Sequence, residues 1–167
     1  MLDGGAVGLA EARISNVQRL RRAGLTCPIS MIRSPMLSQV DQVIQSCDVS
    51  YNSELVVIAA LAEAAVRAGT THSIVLMVEM GDRREGIMPE DLAALAQNVI
   101  SLPGVVLWGI AANFACLSGV VPNAATMRRF SNLTTQTEGV CGPFLATVSG
   151  GNSASLSWAL GSSPSLR

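Results

Sequence analysis

A chain of 167 residues that is 49% hydrophobic, 14% charged and 4% aromatic has the size of about one domain and an aliphatic core. Its formal net charge of −1 leaves no electrostatic footprint for nucleic acid or for an anionic membrane surface. The eleven basic residues are all arginines, so the chain has no lysine.

Short β-rich runs alternate with longer helical stretches along the chain. Val7–Glu11 reads as a weak strand, and Ala12–Ala23 as a helix with Ile14, Val17 and Leu20 on one face and Gly24 as its stop. Pro28–Arg33 is the next strand. Ser34 and Pro35 then read as N-cap and first helical position of a helix to Gln45. Asp48–Tyr51 is a short strand, after which Ser53 caps a helix over Glu54–Ala68, closed by Gly69. His72–Glu79 is the clearest strand, followed by the polar loop Gly81–Gly86. Pro89-Glu90-Asp91 opens a helix with acids in its first turn, where they suit the helix dipole. Gly104–Ala111 is a strand, Asn123 to about Glu138 a helix, Phe144–Val148 a strand, and Ser149–Ser153 opens one more short helix.

Six strand–helix units in strict alternation imply parallel strands joined by right-handed crossovers. A doubly wound sheet and a (β/α) barrel both fit, but no G-x-G-x-x-G follows the first strand, which weighs against a dinucleotide-binding sheet. The expected fold class is therefore α/β, a parallel (β/α) barrel of the TIM type, formed by residues 1–167 as a single partial domain. A complete barrel needs about 250 residues. The start reads as the tail of a helix and Ser165–Arg167 as a strand start, so the expectation is an incomplete barrel. An open barrel leaves two sheet edges unpaired, and self-association of the isolated chain is the expected consequence.

Several chemistries are disfavoured. Cys27, Cys47, Cys116 and Cys141 form no C-x-x-C pair, which argues against a zinc ribbon or redox dithiol and for reduced thiols in the cytoplasm. No signal peptide opens the chain, and its longest apolar run, Leu55–Ala62, is far short of the ~20 residues of a membrane span. His72 is the only histidine and precedes its strand, so neither a histidine metal site nor a Ser-His-Asp triad has support. Gly151–Ser155 fails the G-x-S-x-G pattern at its last position.

In a barrel the functional groups sit after the strand C-termini. There this sequence places Glu11-Ala12-Arg13, Arg33, Asn52, Asp82–Glu85, Asn113 and Ser149–Ser153. The glycines of Ser149-Gly150-Gly151-Asn152-Ser153 let backbone N–H groups approach a ligand, and a following helix start directs further donors outward, which is good chemistry for a phosphate. The same residues also make a plain glycine turn with Ser153 as N-cap. Arg83 and Arg84 offer donor forks to an anionic oxygen, or pair with Asp82 and Glu85 as a surface cluster. Asn113 presents an amide to a ligand or stabilises a turn.

These segments together resemble the pyridoxal-phosphate-dependent amino-acid racemases with an alanine-racemase-type barrel, especially the ornithine-racemase-like branch. The likeness is carried by Gly8–Asn16, Ile32–Ser38, Asp48–Glu54, Val75–Ile87, Asn113–Pro122 and Val148–Leu156, nearly the whole chain. It implies about strands two to seven of the barrel plus the edge of the eighth, in a protein that is a homodimer when full length. It also implies pyridoxal 5′-phosphate as cofactor and a free amino acid such as ornithine or alanine as substrate. By that likeness Ser153, with Ser149, Gly150, Gly151 and Asn152, holds the phosphate, Arg84 contacts the phenolic oxygen, Asn113 lies against the pyridine ring, and Arg167 bonds the ring nitrogen. The family's Schiff-base lysine lies on the first barrel strand, upstream of Met1. Only an amine forms that imine, so the chain as it stands is expected to be inactive. A non-catalytic cofactor-homeostasis protein on the same barrel is the alternative, and a barrel with no ligand the third reading.

Overall fold

The computed structural model describes residues 2–115, 119–142, 145–152, 155, 156 and 160. Six strands and five helices alternate among them: β1 (Leu9–Glu11), α1 (Ile14–Arg22), β2 (Ile29–Met31), α2 (Val40–Ser46), β3 (Val49–Asn52), α3 (Leu55–Arg67), β4 (His72–Glu79), α4 (Leu92–Ser101), β5 (Val105–Asn113), α5 (Ala124–Cys141) and β6 (Thr147–Gly150). All strand pairs are parallel, and their order in the sheet is their order in the chain. A doubly wound sheet reverses direction at a switch point, so this sequential order selects the curled half-barrel.

Alternation along the strands separates two faces. Ile74, Leu76 and Val78 of β4 and Ile110 and Ala112 of β5 join Val17, Val43, Ile58, Leu61, Ala96, Val99 and Phe130 in the main core under the helices. The intervening residues Val75, Met77 and Ala111 form a smaller cluster with Val49 and Tyr51 on the concave face. Register pairs Tyr51 with Val75, Met77 with Ala111, Glu79 with Asn113, and Ala111 with Ser149. Register partners in a parallel sheet share a face, so the same alternation places Glu79, Asn113 and Ser149 on the concave side, toward the strand C-termini.

Several element starts differ from the sequence expectation. Met36 is extended, at φ −78° and ψ 153°, so no helix begins at Ser34. A 3-10 turn over Leu37–Gln39 leads into α2 instead, and the Gln39 side chain accepts the Met36 N–H at 3.1 Å. Glu54, not Ser53, occupies the N-cap position of α3, without a side-chain cap, and the Ser53 hydroxyl is buried without a partner. Residues 89–91 form a turn, so α4 begins at Leu92 and its first turn holds no acid. By contrast Asn123 caps α5 as a short amide should, accepting the N–H groups of Ala125 and Thr126 at 2.9 and 3.0 Å. The last strand runs over Thr147–Gly150, where it pairs with Gly109–Ala112 of β5; Phe144, at which the sequence reading begins it, lies outside the described residues. Ser149 and Gly150 are therefore strand residues, and the glycine turn begins after them.

At the opposite edge of the sheet, Arg21 ties α1 to its neighbours. Its Nε donates to the Ser46 carbonyl at 3.0 Å, Nη1 to the carbonyls of Leu25 and Cys27 at 2.9 and 2.7 Å, and Nη2 to Asp48 at 2.8 Å. The same Asp48 oxygen accepts the Ile29 N–H at 2.8 Å, which joins β2 to β3. Arg21→Met keeps the aliphatic stem and removes every one of these donors. It is expected to cost about 2 kcal/mol, seen as a lower urea midpoint at unchanged slope.

Candidate ligand site at the strand C-termini

Among the described residues, five buried side-chain atoms have no hydrogen-bond partner: Ser34 Oγ, Asn52 Oδ1, Ser53 Oγ, Asp82 Oδ1 and Ser155 Oγ. Each belongs to the last residue of a strand or to the loop that follows one. A desolvated polar atom without a partner costs about 1–3 kcal/mol, and folded proteins rarely leave one so. All five lie on one edge of the sheet, the one that carries the strand C-termini.

The loop after β4 is shaped by the strand's own last residue. Glu79 accepts the N–H of Gly81 with one carboxylate oxygen and that of Arg83 with the other. Arg83 is held at φ +55°, the only described non-glycine residue in the left-handed region. Val78 bridges to Ile87, and Gly86, at φ +137°, passes so close to the Val78–Glu79 backbone that a Cβ would collide with it. Within this closed loop Arg84 Nε donates to Asp82 Oδ2 at 2.6 Å. The guanidinium is half exposed, while Asp82 is only 1% exposed.

The loop after β5 lies alongside. Phe114 is fully buried and meets Phe130 edge-on, with ring centroids 6.1 Å apart. Val120, beyond Phe114, packs over Gly81, so the second loop touches the first. The turn after β6 rests on β5 in the same way. The Gly151 N–H donates to the Ala112 carbonyl at 2.8 Å, one residue from Asn113, and the Ser155 N–H donates to the Asn152 carbonyl at 2.8 Å. Gly151 stands at φ +97°, and a Cβ there would collide with Ser155 Oγ and approach the Phe114 ring. Arg84, Asn113, Ser149, Gly150, Gly151 and Asn152 thus occupy three adjoining strand ends. Ser153, Arg167 and Cys116 lie outside the described residues.

Two clefts open on the same edge toward β1. One, of about 400 Å³, is lined by Arg13, Met31, Arg33 and Ser34 among others. The other, of about 590 Å³, lies between the Ser34–Ser38 loop and the start of α3. Glu11 closes the turn after β1, accepting the N–H groups of Ala12 at 2.7 Å and Arg13 at 3.1 Å. The Ala12 hydrogen bond leads the causes that hold its carboxyl below the usual carboxylate range.

Sequence reasoning did not single out Glu79, Ser34, Ser53 or Ser155. For Glu79 a signal exists, an acid at a strand end with glycine two residues on. For the serines none does, because only the folded packing removes their hydroxyls from water. No group of three or more metal-ligating side chains and no helix long and apolar enough to cross a membrane occurs among the described residues.

A curled parallel half-barrel with strands and helices in strict alternation defines an incomplete barrel of the (β/α) class. Residues 1–165 match the family model described as alanine racemase, N-terminal domain, and the chain belongs to that family. It is 34% identical over 148 residues to the ornithine racemase of Acetoanaerobium sticklandii, covering 88% of this chain and 41% of that protein. To the lysine racemase of Thermotoga maritima it is 28% identical, covering 89% of this chain and 41% of that protein. The solved alanine racemase of Clostridium difficile 630 superposes with a TM-score of 0.78 at 20% identity, covering 92% of this chain and 41% of that one. The chain thus spans about two fifths of the length of these proteins.

Proposed function

We propose that these 167 residues form part of the cofactor cradle of a pyridoxal-phosphate-dependent amino-acid racemase acting on a free amino acid of the ornithine or alanine type. The observation that carries this reading is the meeting of Arg84, Asn113 and the Ser149–Asn152 segment at three neighbouring strand ends, on the edge where buried polar atoms lack partners. The residues fit the group in kind. A turn with no room for a Cβ at Gly151, beside the Ser149 hydroxyl and the Asn152 amide, suits a phosphate, and the Arg84 guanidinium suits a phenolic oxygen. When bound, pyridoxal phosphate supplies the electron sink that makes an amino acid's α-proton removable.

This chain's residues would bind and orient. Ser149, Gly150, Gly151, Asn152 and Ser153 would hold the phosphate, Arg84 the phenolic oxygen and Arg167 the ring nitrogen, with Asn113 beside the ring. The amine that tethers the cofactor is absent, since the sequence holds no lysine, and the reading places it in a part of the protein outside these residues. A homodimer is part of the same reading. So is a cytoplasmic setting, which the free thiols of Cys27, Cys47 and Cys141 suit.

Two measurements test it. The full-length protein with pyridoxal phosphate should interconvert D- and L-ornithine or D- and L-alanine, while the 167-residue chain alone should not. Full-length protein that binds the cofactor yet interconverts no amino acid would instead establish the non-catalytic carrier. Borohydride reduction of the isolated chain with pyridoxal phosphate should leave no pyridoxyl group on any internal residue, as peptide mass mapping would read directly.

A further inference from the structure

Asp82 is an oddity in its loop. Arg83 and Arg84 beside it are exposed, yet Asp82 is 1% exposed, and a charged side chain is seldom buried without reason. One of its oxygens is accounted for, since Oδ2 accepts from Arg84 Nε at 2.6 Å. The other, Oδ1, is buried without a partner on the edge of the sheet that carries the remaining unpartnered atoms.

The backbone around it leaves little play. Glu79 grips the N–H groups of Gly81 and Arg83, the residues on either side of Asp82. Arg83 is held left-handed, and Gly86 seals the loop against the Val78–Glu79 backbone. A carboxylate fixed in this way fixes what it binds. A guanidinium is planar, so a short charge-assisted bond to Nε sets the plane in which its terminal nitrogens lie.

We infer that Asp82 is the positioning residue for Arg84, orienting the guanidinium toward the phenolic oxygen of the bound cofactor. This rests on the reading of Arg84 given above. It assigns Asp82 no contact with the cofactor's reacting atoms; its action passes through Arg84.

The test uses the full-length protein, titrated by equilibrium dialysis with pyridoxal 5′-phosphate and with the analogue that lacks the phenolic oxygen. Circular dichroism checks the fold of each variant. The wild-type protein should prefer pyridoxal phosphate about tenfold, the scale of one charge-assisted hydrogen bond. Asp82→Asn should bring that preference close to unity while leaving affinity for the analogue unchanged, Arg84→Met should do the same, and the double variant should lose nothing more. Asp82→Ser serves the same comparison if Asp82→Asn does not fold. Retention of the full preference in the folded Asp82 variant, with its loss in Arg84→Met, overturns the positioning role alone. Full-length protein that binds both compounds equally overturns the assignment of Arg84 and the inference with it, and one that binds neither overturns the cofactor reading on which both rest.

Discussion

Gly109→Ala should be among the most damaging single-methyl changes available in this chain, lowering stability by about 3 kcal/mol, the upper end of the cost of overpacking. Gly109 lies in β5 opposite Thr147 of β6, and a Cβ built on it would collide with the Thr147 carbonyl oxygen and crowd its carbonyl carbon and Cβ. The obstructing atoms are mainly backbone, so no rotamer change relieves the contact; β6 itself has to move. That strand has four residues and pairs with β5 over Gly109–Ala112, so a shift at Thr147 carries through its whole ladder. The shift also disturbs the turn that begins at Gly151, whose N–H is bonded to Ala112. Gly139 provides the contrast. It lies inside α5 with nothing within 4 Å of an added Cβ, and Gly139→Ala should stabilise by up to about 1 kcal/mol through helix propensity alone. Urea midpoints of the two variants should therefore move in opposite directions. Equal shifts would mean that β6 is not held against β5 as described.

The parallel half-barrel was legible because its determinants are local and repeated. β4 is a continuous apolar run because both of its faces are covered, and the helices carry apolar residues at helical spacing. The placement of Arg84, Asn113 and the Ser149–Asn152 segment at neighbouring strand ends was legible for a different reason. A polar or glycine-rich stretch directly after an apolar strand stands out, and the topology brings such stretches to one edge. The helix starts were less legible, since Ser34-Pro35 and Ser53-Glu54 carry capping residues that the chain does not use as caps. The extended backbone at Met36 and the buried hydroxyls of Ser34 and Ser53 follow from how the loops after β2 and β3 pack, and no local pattern encodes that. Asp82 shows the same limit. The sequence places it in a charged loop, and the fold alone buries it and leaves one oxygen bare.

The second large effect concerns acid, and it arises from His72. Sequence position puts this histidine at the edge of the sheet opposite the candidate site, and the fold buries it to 2% exposure at the start of β4. Its Nε2 lies 2.8 Å from Ser50 Oγ. Asn52 Nδ2 donates to that same oxygen and to the Ser50 carbonyl, both at 2.9 Å. The hydroxyl has one proton to give and two lone pairs to accept with, so either neutral tautomer of the imidazole satisfies this hydrogen bond. Burial pushes His72 down to about 4 from its usual 6.5, with the Asp48 carboxylate acting in the opposite sense. The unfolded chain therefore takes up the proton first as pH falls. Stability from this group is complete above about pH 6.5 and drains away as pH drops toward 4, by about 3 kcal/mol in all. No other histidine titrates in that window, so between pH 7 and about 5.5, above the carboxylate range, the slope belongs to this one residue, and Glu11 adds to it only at lower pH. Urea midpoints measured between pH 7 and pH 4.5 should fall steadily for the wild-type chain. In His72→Gln they should be lower at pH 7 and nearly flat over the same range. A wild-type midpoint independent of pH there would mean that the imidazole is not held neutral against Ser50.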